Sequence, residues 1–85
     1  MTASSEGTKA AILEVVDNQL KDNTPPETRQ TYQRLLNQGF SNAEAREMIG
    51  AVVSSEIFEV VKNQEAYDQK RFIAALHKLP QMPWE

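Results

Sequence analysis

Residues 41–63 read SNAEAREMIGAVVSSEIFEVVKN, and the fold turns on whether this run is helix or strand. Val52, Val53, Ile57, Val60 and Val61 suit a strand by residue type. Three features favour a helix. The apolar positions do not strictly alternate, the run is long, and Ser41 with Glu44 three residues on makes a capping box. Phe40, just before the cap, is placed to staple to Ala45. Met48, Ile49, Val52, Val53, Ile57, Phe58, Val60 and Val61 wrap more than half the circumference. A helix so apolar is expected at the centre, contacted from two sides.

Glu56 falls near the middle of that apolar face, flanked on the wheel by Ile49, Val52 and Val60. The positions three and four residues away hold Val52, Val53, Glu59 and Val60, so no cation of its own helix can pair with it. A lone buried carboxylate is costly or takes up a proton. Glu56 is therefore expected to meet a group from another helix, with Arg29, Arg34, Tyr32, Arg71 and His77 as candidates. The plainest role is a structural ion pair or hydrogen bond. The alternatives are a half-exposed edge position and a functional carboxylate in a cleft.

Working outward, NTPPE at residues 23–27 starts the preceding helix. Thr24 reads as the cap, Pro25 as the first helical residue and Glu27 as the third member of a capping box. That helix has a narrow stripe of Tyr32, Leu35 and Leu36. Gly39 ends it where a left-handed residue is wanted, and Phe40 packs back over the turn. Before it, Ile12, Leu13, Val15, Val16 and Leu20 share one face at about 100° per residue. On the C-terminal side, Asp68 caps a last helix, Tyr67 staples to Phe72, and Phe72, Ile73, Leu76 and Leu79 form its buried face. Pro80 stops it. The expectation is an all-α fold, a small four-helix domain with a long central third helix. Residues 1–7 are expected to be a disordered N-terminus, 8–80 the single domain and 81–85 an extended tail carrying Trp84.

The chain has 85 residues, a net charge of −3 and no cysteine. It is one small domain, without disulfides or thiolate metal sites. No apolar stretch approaches the roughly 20 residues of a spanning helix, and MTASSEGTK at the start lacks the apolar core of a secretory signal. The protein is expected to be cytoplasmic, with no membrane partner. Its nine basic residues are scattered, and only Lys70 and Arg71 are adjacent. Nucleic acid is not an expected partner.

Motifs with catalytic chemistry are missing. The sequence has no Gly-rich phosphate loop, no nucleophile elbow and no histidine pair at metal spacing. His77 is the only histidine, on the flank of the last helix. No cofactor and no metal are expected. LLNQGFSNAEA at residues 35–45 could be a helix-turn-helix, but Glu44 and Glu47 around Arg46 argue against a major-groove reader. Its Gln-Gly-Phe is similar, over about eleven residues, to the Gly-Phe loop of ubiquitin-associated domains. A helix stop at Gly39 and a staple at Phe40 account for it as well.

From Pro26 to Pro80 the chain resembles a family of short bacterial all-helical domains of unknown function. The resemblance lies in ETRQTYQRLLNQGFSNAEAREMIGAVVSSEIFEVVK followed by YDQKRFIAALHKLP. The family joins a central helix with a Glu–apolar–aromatic–Glu core, here Glu56 to Glu59, to a final helix ending in Leu-Pro. An upstream Asn-Gln-Leu, residues 18–20, also fits. Members often carry histidines where this chain has Glu14 and Glu47, so the resemblance implies no metal site here. It implies a bacterial origin and a helical fold, without an activity. The expected function is a non-enzymatic protein–protein interaction or structural module, with a homodimer as one form of it. The alternative is a small enzyme or ligand-binding domain using Glu56 in an inter-helix cleft. Candidate binding residues are Glu56, Tyr32 and Trp84.

Overall fold

The computed structural model describes residues 2–85. Four helices follow one another: α1 at Thr2–Asp22, α2 at Pro26–Asn37, α3 at Asn42–Asn63 and α4 at Gln69–Lys78. No strand occurs among the described residues. The third helix is the longest, as the sequence indicates. α1 begins at Thr2 rather than near Thr8, so residues 2–7 extend the helix instead of preceding it. Residue 1 of the expected disordered segment lies outside the described residues.

The start of α3 forms as its sequence specifies. The Ser41 hydroxyl accepts from the Glu44 N–H at 3.0 Å, and the Glu44 carboxylate accepts from the Ser41 N–H at 2.8 Å. Two of the first-turn donors are thereby satisfied. The stop before it is a Schellman turn. Phe40 N–H donates to Leu35 C=O, Gly39 N–H donates to Leu36 C=O, and Gly39 has φ +99°. A residue with a Cβ is strained there, which is why glycine ends α2. α4 starts at Asp68, whose carboxylate accepts from Arg71 N–H at 3.2 Å. The ring of Tyr67 lies 6.1 Å from that of Phe72, completing the staple.

The entry to α2 departs from expectation. Pro25 is the cap residue, Pro26 opens the helix, and no side chain caps it. Thr24 donates its hydroxyl to Asp22 C=O, so the proposed Thr24–Glu27 box does not form. With two consecutive prolines, sliding the start by one residue leaves Thr24 outside the helix and occupied at the end of α1.

Val16, Leu35, Ala45, Ile49, Val52, Val53, Phe72, Leu76 and Leu79 form the buried core. α3 touches all three other helices, but so does α2. α1 and α4 do not meet; they flank the α2–α3 pair. The stripe on α2 is narrow because polar residues complete its buried side. Thr28 and Thr31 are buried, and the Thr28 hydroxyl donates to Gln19 Oε1 at 2.9 Å. Arg34 spans to the far end of α4 and donates to Leu76 C=O and Leu79 C=O at 3.0 and 2.7 Å. A cation on the last carbonyls of a helix satisfies orphan acceptors and complements the helix dipole. On the other side, α1 approaches α3 at Gly50, where a Cβ would lie 3.2 Å from the Ile12 side chain.

Candidate functional site

Glu56 is buried at 7% exposure, held by the middle of α3 against α4. Its partner is Arg71, one of the cations named from the sequence. Arg71 Nη2 donates to Glu56 Oε2 at 2.6 Å, and Nε donates to Oε2 and Oε1 at 3.0 and 3.2 Å. This side-on geometry uses the planar fork that lysine lacks. Asp68 caps α4 through the Arg71 N–H, so the cap also fixes where the guanidinium stands. The Arg71 side chain is 38% exposed and also reaches Glu65 at 3.3 Å. Two carboxylates raise its pKa further, chiefly through the hydrogen bonds to Glu56. The guanidinium is a permanent cation.

The cleft beside this pair is small, about 40 Å³, bounded by Val52, Ser55, Glu59, Phe72 and Ala75. Ligand pockets run to about 300–1,000 Å³. The carboxylate that the sequence marked as unusual is thus engaged with one guanidinium beside a space of water size. Among the described residues, no three His, Cys, Asp or Glu side chains converge as a metal would need.

The neighbouring Tyr67 gives a measurable reporter. Burial first, then the charges of Glu56 and Asp68, raise its phenol above the ordinary 10.0. A raised acid favours the folded state at pH below the unfolded value, and that contribution is lost as pH climbs through the folded value. In Tyr32→Phe, absorbance at 295 nm should therefore show the remaining tyrosine ionising above pH 10. Adding Glu56→Gln should move that midpoint down.

The other two candidates stand elsewhere. Tyr32 donates its hydroxyl to Asn42 Oδ1 at 2.8 Å, tying α2 to the start of α3. It lines a surface hollow with Asp17, Arg29 and Arg46, away from the Glu56 cleft. Trp84 is 70% exposed, so it does not cover the bundle. Met82 does that instead, packing on the core, while Glu85 closes the tail by accepting from Met82 N–H at 2.8 Å. The three residues form no common site.

The outer side of α3 departs from the expectation of contact from two sides, for neighbouring helices of the chain leave it uncovered. Ile57, Phe58 and Val61 lie there. In the structure Phe58 is 61% and Val61 72% exposed, and Ile57 is also exposed. The Lys62 ammonium lies 5.6 Å from the centre of the Phe58 ring. One turn earlier the same side of α3 borders α1 across an open groove of about 440 Å³. Ile12, Leu13, Gly50, Ala51 and Ser54 line it, and Lys9 bridges it at 2.7 Å to Glu47. Lys9 holds the Glu47 carboxyl below its ordinary range, mainly through that hydrogen bond.

Fold and site together define a small four-helix domain with one engaged buried carboxylate and one bare apolar helix face. No family model matches this chain, no curated protein matches it, and no solved structure matches it. None of its helices is long and apolar enough to cross a membrane, among the described residues.

Proposed function

We infer that this chain is a non-enzymatic protein–protein interaction domain, working through the exposed side of α3. The observation that carries this reading is Phe58 and Val61, both mostly exposed on one side of a helix whose opposite side is core. Large apolar side chains grouped on a surface are the mark of an interaction site. The Glu56 cleft, at about 40 Å³, is small for a ligand, and the adjoining hollow of about 430 Å³ is lined by Arg71 and Glu59 but not by Glu56. Nucleic acid is disfavoured by where the cations point. Arg29 donates to Leu20 C=O, Arg34 to α4, Arg46 to Asp17, Arg71 to Glu56, and Lys9 pairs with Glu47. These are five of the nine basic residues, and the other four, Lys21, Lys62, Lys70 and Lys78, are dispersed along the chain rather than gathered in a phosphate-binding stripe.

The test is a benzophenone side chain placed at Val61 and, separately, at the exposed Ala43, in cells that make the protein. Ultraviolet light should give a protein adduct from position 61 and only background from position 43. Background from both would defeat the reading.

A further inference from the structure

The α3 side has two unlike halves. Its first half, around Gly50, Ala51 and Ser54, is hollow and walled by Ile12 and Leu13 of α1. Its second half, with Phe58 and Val61, projects. At about 100° per residue, Glu47, Ala51, Ser54, Phe58, Val61 and Lys62 lie within one stripe of α3. The ends of that stripe carry opposite charge, Glu47 at one and Lys62 at the other. Glu47 and Lys62 are equally far from the midpoint between Ser54 and Ser55.

Building on the interaction role above, we propose that the partner of this face is a second copy of the chain, with the two α3 helices antiparallel about a two-fold axis at Ser54–Ser55. In an isologous contact each patch meets its own image. This axis brings Phe58 of one copy opposite Ala51 of the other. The ring then enters the open α1–α3 groove of about 440 Å³, beside the Lys9–Glu47 bridge. The same operation happens twice, so both projecting halves are covered and both hollows filled. Lys62 of each copy comes to the Glu47 of the other, where it joins Lys9 beside the same carboxylate. A parallel arrangement would set projection against projection and like charge against like charge. Helix axes pack at about 8–10 Å, and the small residues Gly50, Ala51 and Ser54 at the crossing permit the near end of that range.

Sedimentation of the wild-type chain should show a dimer, twice the 9.6 kDa monomer mass, between about 0.1 and 1 mM, with the monomer prevailing at low micromolar concentration. Phe58→Glu should weaken it at least tenfold. Lys62→Glu and Glu47→Lys should each weaken it by roughly threefold, the scale of a rim ion pair, and the two together should restore it. All three positions are exposed, so an unchanged helical circular-dichroism spectrum will show that the variants fold, although Glu47→Lys also loses the Lys9 pair within the chain. The chain has no cysteine, so Ser54→Cys supplies a single thiol. Under mild oxidation it should form a disulfide-linked dimer, whereas Ala43→Cys should not. A wild-type monomer throughout this concentration range overturns the proposal. So does a dimer with neither the charge rescue nor the Ser54→Cys bridge, since it would use another surface. If light at position 61 captures a protein of different mass while the wild type stays monomeric, the homodimer is overturned and the interaction role stands.

Discussion

Arg71→Met will destabilise this domain more than Glu56→Gln will, although both remove the same ion pair. In Glu56→Gln the amide oxygen still accepts from Arg71, and the guanidinium, 38% exposed, turns to water. The loss is that of a charge-assisted hydrogen bond made neutral, about 1–3 kcal/mol. Arg71→Met leaves the Glu56 carboxylate at 7% exposure with no donor facing it. Stranding a buried charge is costly, but Arg71 faces solvent, so water reaches the carboxylate once the guanidinium is gone and the loss falls below that of a fully buried pair while exceeding that of Glu56→Gln. The double variant Glu56→Met, Arg71→Met should recover most of that loss, because the cleft is lined by Val52, Phe72 and Ala75. Urea unfolding of the four proteins measures all three quantities. Equal losses from the two single variants would show that the carboxylate is not confined as the structure has it.

Much of this pair was legible in the sequence. A carboxylate amid Ile49, Val52 and Val60, with no cation within one turn, requires a partner from another helix. Asp68 three residues before Arg71 fixes a cap that orients the guanidinium. Choosing among Arg29, Arg34 and Arg71 was not possible, because the choice depends on which helices neighbour one another. Arg29 and Arg34 are engaged by backbone carbonyls of α1 and α4, which leave no side-chain signal. The Ser41–Glu44 capping box, the Asp68 cap and the Gly39 stop rest on contacts a few residues apart, so they read out well. The Thr24 box failed because two prolines give two registers that local chemistry does not separate. The apolar width of α3 exceeds what the chain itself buries, for a related reason. Apolar periodicity marks residues that avoid water, but it does not say whether the cover comes from the same chain.

Truncating Ile49 and Val61 to alanine separates those two kinds of apolar residue on one helix. Ile49 is fully buried at the centre of the core. Removing its side-chain carbons loses transfer energy and leaves a cavity that its rigid neighbours fill only in part, about 2–5 kcal/mol. At about 0.05–0.15 kcal/mol per residue, that is a large share of an 85-residue domain's stability. Val61, at 72% exposure, contributes almost nothing to the folded monomer, and alanine is the better helix former. Val61→Ala should therefore change monomer stability by less than about 0.5 kcal/mol. Thermal and urea unfolding at low micromolar concentration gives both numbers, with any association diluted out. A large loss from Val61→Ala in the monomer would mean that its side chain is packed and the face is not bare. A negligible one means that the fold has no use for a valine at 61, beside the exposed parts of Ile57 and Phe58. Their apolar surface then has to be accounted for by something outside the chain.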